Sequence, residues 1–399
     1  MDKQIIEIVS KHGIKTGSKI YQLAEKLSVK FNEFNLSAPK ALDNLLTVTL
    51  KDTIEESDIV NNLEFALEMA GNPAMGTKDD LFKTRIIADN FSLQDIMFAL
   101  IRHQIIEKKI DGESLAKVQS KVLSPGDFVI YCNSARKRSS TVVHNKNEYV
   151  DSCPICYQSF INTNKKVWFW RDYYLFGNHA PIVENHLMVT YKKHGLQSMD
   201  RQFMEDIIDL NFMFDFCRPY FNRPGSLDKH RHVQAFSGTF PIENIKTVAI
   251  GNTGVSEFDP SYPATGFVVE GNDKKRVSLL VNKIMELCDS RQVKEIDRFV
   301  PFYLIFARKG DIARVFVLPK WKWKSDTFPK DMNAYNAKNE SEKNEFIIVP
   351  ASVETAGRGS TSDLSTFKRI TYADYCHLIK DTSAPLEEFK FIRDELKKI

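Results

Sequence analysis

The chain has 399 residues, 43% hydrophobic and 27% charged, with 55 Lys and Arg against 52 Asp and Glu for a net charge of +3. That is the composition of an ordinary globular protein, and no general polyanion-binding surface follows from so small a net charge. The length predicts two or three folding units, or one enlarged domain with additions.

The opening MDKQIIEIVSKHGIKTG lacks the uninterrupted apolar core of a signal peptide. No run approaches the roughly 18 apolar residues of a membrane span. A cytoplasmic protein with no membrane partner is expected. The six cysteines, 132, 153, 156, 217, 288 and 376, are too few in so long a chain for a disulfide framework. Cys153 and Cys156 stand together; the others lie in apolar stretches and read as buried thiols.

Residues 1–122 read as a helical N-terminal domain. EESDIVNNLEFALEMAG predicts a helix stopped by Gly71 and the Asn-Pro after it. SLQDIMFALIRHQIIEKK opens with Ser92 and Asp95 in capping-box spacing. From about 124 the texture changes, and SPGDFVIYC, KVWFWRDYYLF and HLMVTY predict strands. DRQFMEDIIDLNFMFDF is an amphipathic helix, followed by the strand HRHVQAF. IKTVAI and ATGFVVEG are further strands, DKKRVSLLVNKIMELCDS a helix, and FYLIFARKGDIARVFVLPK a hairpin turning near Lys309-Gly310. Strand, strand, helix, hairpin thus occurs twice, which predicts an internal duplication over 123–243 and 244–399. The charged stretch 321–344 reads as a surface loop, and two terminal helices are expected after EFIIVPASVETAG.

The chemistry concentrates in two places. CPIC at 153–156 has three readings: a redox pair, an accident of packing, or a knuckle supplying half of a tetrahedral zinc site. The redox reading lacks the βαβ setting it needs. Zinc requires two more ligands, and His194 and His230 complete a Cys2His2 set, with His186 the main competitor of His194. In HRHVQ, alternate residues of a strand share a face, so His230, His232 and Gln234 point together. If zinc takes His230, the neutral His232 imidazole can attack phosphorus and form a phosphoramidate. Gln234 can then donate its amide to a phosphate oxygen. Upstream, FNRPGS offers Asn222, Gly225 and Ser226, groups small or polar enough to approach a phosphate.

HRHVQ resembles the active-site strand of the histidine-triad superfamily, in the branch of galactose-1-phosphate uridylyltransferase, where glutamine replaces the third histidine. GSLDKHRHVQAFSGTFPIE more closely resembles GDP-hexose phosphorylases and a related bacterial family. NSARKRSS, CPIC, NHAPIVENHLMVTYKKHGLQSM and PASVETAG follow the same relatives in order, so the likeness spans roughly 124–380. It implies an α+β fold of two tandem histidine-triad-like halves around a mostly antiparallel sheet, preceded by the helical domain. Only the first half keeps the catalytic strand. It implies that His232 takes up a nucleotidyl group and that Gln234, Asn222 and Ser226 hold the α-phosphate. Asn178 would lie near the nucleoside, and Cys153, Cys156, His194 and His230 would hold structural zinc. His179, Asp228-Lys229 and Lys320 depart from the pattern, which leaves the nucleobase and second substrate open.

The expected activity is therefore a phosphorylase acting on a nucleoside diphosphate sugar or a dinucleoside polyphosphate. Transfer to a sugar 1-phosphate or another phosphorylated acceptor is the alternative, and a non-catalytic zinc-stapled binding protein a third reading. WKWKS at 321–325 reads as a solvated loop, not as a nucleic-acid contact. For residues 1–120 an oligomerisation or regulatory role is the plain expectation.

Overall fold

The computed structural model describes residues 3–34, 36–71, 85–134, 153, 155–163, 165–178, 181–223, 230–290, 292–293, 298–299 and 302–398. Its strands, in chain order, are β1 (Gln119–Leu123), β2 (Phe128–Cys132), β3 (Trp168–Trp170), β4 (Tyr173–Gly177), β5 (Leu187–Tyr191), β6 (Cys217–Arg223), β7 (His232–Ser237) and β8 (Thr247–Ala249). They continue with β9 (Val255–Phe258), β10 (Phe267–Gly271), β11 (Gln292–Val293), β12 (Arg298–Phe299), β13 (Phe302–Lys309), β14 (Ile312–Pro319) and β15 (Arg358–Thr361). The class is α+β, as expected. No described helix is long and apolar enough to cross a membrane.

The residues fall into two compact units, one of 1–112, 150–179 and 187–194, the other of 113–149, 180–186 and 195–399. The first carries the helices Lys3–Lys11, Lys19–Glu33, Ala38–Lys51, Glu56–Gly71 and Leu93–Ile106. Helix Lys19–Glu33 shows why they form. Ser18 caps its start by accepting from the Tyr21 amide, and Leu23, Ala24, Leu27 and Phe31 bury one stripe. The Ser92 amide donates to Asp95 at 3.0 Å, which is the expected capping-box bond.

These helices are joined to the antiparallel meander β3-β4-β5 by side-chain amides. Asn62 accepts from the Phe169 amide at 2.8 Å and donates to the Phe169 carbonyl at 2.9 Å. Gln104 donates to the Lys166 carbonyl at 2.6 Å and accepts from the Gly177 amide at 2.9 Å. An amide side chain carries the donor and acceptor of a peptide unit, so each satisfies backbone groups that no strand reaches. KVWFWRDYYLF makes two strands, not one, because the chain reverses at Arg171-Asp172, with Arg171 at φ +49°.

In the second unit seven strands run in the order β7-β6-β13-β14-β10-β9-β8, every neighbour antiparallel. A separate three-stranded sheet has the order β1-β2-β15, with β15 parallel to β2. The sequence HRHVQAF contributes β7, which begins at His232; His230 precedes it in a lone parallel bridge to Gly195. The hairpin β13–β14 turns at Gly310, φ +59°, as its Lys-Gly signal predicts. One face of the strands is covered by the helices Arg201–Met213 and Lys274–Asp289. The other carries Tyr220, Phe236, Tyr303, Ile305, Phe316 and Leu318, packed with Val353 and Ala356.

Some elements depart from expectation. β6 was hidden by Pro219, which lacks a ladder donor; it sits one residue beyond the last β6–β13 pair, Tyr220↔Ile305. Within 321–344 the helix Met332–Ala337, capped by Asp331, buries Tyr335 against Phe328 and Ile347. Three helices, not two, close the chain: Leu364–Arg369, Tyr372–Thr382 and Leu386–Leu396.

Glu68 in the first unit supplies a test of acid stability. His103 approaches it at 3.3 Å and Lys166 at 2.8 Å, and these neighbours draw its carboxyl down to about 2 from the ordinary 4.5. A depressed carboxyl contributes stability above its unfolded pKa, and that contribution is lost as pH falls through the folded value. Between pH 4.5 and 2 the wild type is therefore expected to lose more urea midpoint than Glu68→Gln; parallel curves for the two would contradict this reading.

Candidate active site and metal centre

The strand β7 sets the site. His232 is 4% exposed and Gln234 half-buried, and with Phe236 they alternate onto the face that carries Tyr220 and Tyr303. The His232 Nδ1 lies 2.8 Å from the His230 backbone oxygen. A carbonyl only accepts, so Nδ1 carries the proton and the lone pair is on Nε2. No described residue hydrogen-bonds to that Nε2. Burial pushes the His232 pKa down to about 4, so the ring is neutral near pH 7.

The backbone of His232 is held by Gln197, a residue the sequence did not single out. Gln197 Oε1 accepts from the His232 amide at 2.9 Å, and its Nε2 donates to the His232 carbonyl at 2.9 Å and the Asn222 carbonyl at 3.4 Å. The paired register of β6 and β7 ends at Tyr220↔Gln234. Gln197 thus does for His232 what Asn62 does for Phe169, supplying a peptide-like partner where the ladder stops.

Beside Gln234 stands Tyr220, its direct cross-strand partner, with Tyr220 Oη donating to Gln234 Oε1 at 2.8 Å. His186 Nε2 lies 3.0 Å from the same hydroxyl, and the Ile182 amide donates to His186 Nδ1 at 3.3 Å. His186, the rival candidate for zinc, is buried in this group. Asn222 accepts the Ser352 amide at 3.3 Å, which docks the PASVETAG segment on β6. Glu243 of the FPIE segment pairs with the Arg218 guanidinium at 3.1 Å. Its carboxylate, on a side chain 9% exposed, also accepts from the Phe240 amide, so that motif is explained as a structural anchor. Asn178 follows β4, with its amide 3.6 Å from the Met188 sulfur. Gly225 and Ser226 lie outside the described residues, as do His179 and Asp228-Lys229.

The described residues hold one group suited to a metal ion: Cys153, Cys156, His194 and His230, whose ligand atoms all lie within 4.8 Å of one another. These are the four predicted from the sequence. The knuckle is closed locally. The Cys156 amide donates to the Cys153 carbonyl at 3.2 Å, Ser159 Oγ donates to the same oxygen at 2.6 Å, and Tyr174 Oη donates to the Ile155 carbonyl. Cys156 Sγ is 3.0 Å from His194 Nδ1. Burial, then the neighbouring Cys153, pushes the Cys156 thiol up to about 12. A divalent cation reverses that preference by binding both thiolates. Two sulfurs and two imidazole nitrogens suit tetrahedral zinc.

Comparison with known proteins bears on the fold. Residues 100–237 match a family described as a domain of unknown function, DUF4922. No curated protein matches the chain in sequence. Among solved structures, yeast Ap4A phosphorylase Apa2 is similar at a TM-score of 0.53 and 11% identity, covering 73% of this chain and 97% of that one. The same enzyme in complex with AMP matches at 0.52 and 12% identity, over 72% and 95%. Its complex with Ap4A matches at 0.51 and 11%, over 73% and 98%. At such identity the likeness is one of fold: this chain has the fold of the yeast phosphorylase.

Proposed function

We propose that the chain is a nucleotidyl-transferring phosphorylase that cleaves a dinucleoside polyphosphate, or a nucleoside diphosphate sugar, at the α-phosphorus. The observation that carries this reading is the His232 ring, neutral and proton-ordered by the His230 carbonyl. The fold shared with the yeast phosphorylase supports it.

The chemistry runs in two displacements. His232 Nε2 attacks the α-phosphorus, the N–P bond forms, and the P–O bond to the distal fragment breaks, so that fragment leaves as a phosphate anion. An oxygen of inorganic phosphate then attacks the same phosphorus, the N–P bond breaks, and a nucleoside diphosphate departs. His232 ends as it began, with Nδ1 protonated. Gln234 and Asn222 offer amides to the α-phosphate, with Ser226 assigned there by resemblance alone. Asn178 is placed at the nucleoside on the same footing. Zinc on Cys153, Cys156, His194 and His230 would act structurally, holding the residue whose carbonyl orients the nucleophile.

Three measurements test this. Incubation with Ap4A without phosphate is expected to add one nucleotidyl group to the intact mass; phosphate then discharges it as nucleoside diphosphate. His232→Ala should show no adduct, and full turnover by that variant would reject the mechanism. Discharge by a sugar 1-phosphate, but not by phosphate, would identify a transferase instead. Purified protein is expected to carry one zinc per chain, lost in Cys153→Ser together with adduct formation. Gln197→Leu strands two buried backbone groups, at a cost of about 1–3 kcal/mol in unfolding free energy. A shift in the His232 backbone lowers the labelling rate roughly 10²-fold. Unchanged urea midpoint and rate would remove Gln197 from the site.

A further inference from the structure

We propose that Tyr303 is a further substrate-binding residue, whose hydroxyl donates to the phosphate group next to the α-phosphate. That group leaves with the distal fragment in the first displacement, and inorganic phosphate takes its place in the second. This rests on the phosphorylase reading above and adds to it a subsite outside the HRHVQ strand.

Register places the residue. Tyr303 on β13 is the direct cross-strand partner of Asn222 on β6. Side chains directly opposite on an antiparallel pair share a face. That face is the one carrying Tyr220, two residues before Asn222 on the same strand. His232 stands beside Asn222, because Gln197 Nε2 reaches both their carbonyls, at 2.9 and 3.4 Å. His232, Asn222 and Tyr303 therefore form one row across the neighbouring strands β7, β6 and β13. Each step of that row is about 4.8 Å, the spacing of paired strands.

The donors in this row lack acceptors. The Ser352 amide can only donate, so the Asn222 atom it meets at 3.3 Å is the side-chain oxygen. The Asn222 NH2 is the end left over, and no described residue accepts from it. None hydrogen-bonds to the Tyr303 hydroxyl either, although Tyr303 is only 1% exposed. The hydroxyl of Ser352 is buried without a partner as well. Buried polar groups are nearly always satisfied, and a cluster of exceptions calls for an explanation such as a bound ion. Donors without acceptors, beside a nucleophile with a free lone pair, fit an oxyanion.

The charges agree. Burial pushes the Tyr303 pKa up, so the phenol keeps its proton and remains a donor. Lys320 Nζ lies 5.8 Å from the centre of the Tyr303 ring, bonded to the Thr382 hydroxyl at 2.6 Å and that of Thr355 at 3.4 Å. No described carboxylate pairs with it, and burial draws its pKa down to about 7, a shift that a nearby anion reverses. Glu354, whose charge reaches both groups, already accepts from the Ala351 amide and the Ser360 hydroxyl. In an in-line displacement the leaving oxygen departs opposite His232 Nε2, and the acceptor enters from that same side. One phosphate subsite therefore serves both steps.

The test separates the two displacements. The protein is labelled with Ap4A, freed of small molecules and discharged with inorganic phosphate. Tyr303→Phe keeps the ring and its packing. It is expected to raise the phosphate concentration for half-maximal discharge roughly 10- to 100-fold, the loss of one hydrogen bond to a charged group. Melting temperature, and hydrolysis of the adduct in phosphate-free buffer, should match the wild type's, since water needs no phosphate subsite. An unchanged phosphate requirement, or hydrolysis slowed as much as discharge, overturns the assignment. A second arm needs no turnover: inorganic tripolyphosphate is expected to bind Tyr303→Phe at least 10-fold more weakly than the wild type. Equal binding by the two proteins overturns the subsite. A wild type that takes no label but binds tripolyphosphate through Tyr303 would sink the phosphorylase reading and leave the subsite standing.

Discussion

A single hydrogen bond, from the His232 ring to the carbonyl two residues before it, is the constraint on which the site depends. It assigns the proton to Nδ1 and so leaves the lone pair on Nε2. Burial reinforces it by disfavouring the imidazolium. The same residue, His230, belongs by its ring to the group that could hold a metal ion.

Among the described residues, amide side chains take the place of a strand partner at three points. Asn62 on Phe169, Gln104 on Gly177 and Lys166, and Gln197 on His232 each supply a peptide-like donor and acceptor. The physical reason is common to all: an unpaired buried backbone group costs as much as a hydrogen bond is worth. At His232 the device has a further result. The β6–β7 register ends at Tyr220↔Gln234, yet the backbone of His232 remains held at both its amide and its carbonyl. A rigid backbone limits where the ring can go.

The polar group lies on a face that is otherwise apolar. Phe236, Tyr303, Ile305 and Leu318 pack with Val353 and Ala356, and Tyr220 belongs to that cluster while its hydroxyl bonds to Gln234. Low polarity strengthens the few hydrogen bonds present and penalises any misoriented amide. Around it, the Arg218–Glu243 pair and the Ser352–Asn222 bond fasten the FPIE and PASVETAG segments to β6. Those motifs, legible as a resemblance, are explained in this protein by the loops they anchor.

The sequence by itself determined the features that local spacing can encode. The period of two in HVQ sets His232 and Gln234 on one side. The two-residue gap in CPIC predicts a knuckle, and the Ser92/Asp95 spacing a cap. The Lys-Gly signal places the β13–β14 turn. His194 and His230 could also be named as candidates to complete the Cys153–Cys156 pair, with His186 the competitor of His194. Tertiary structure alone decided the rest. Gln197 and His186 belong to the site through contacts with residues 34 or more positions away, which no local pattern marks. Tyr220 was concealed with its strand, since Pro219 argues against a ladder unless one knows where that ladder ends. Which atoms of His186, Tyr220 and Gln234 face each other is decided in space, and that is information a linear pattern does not contain.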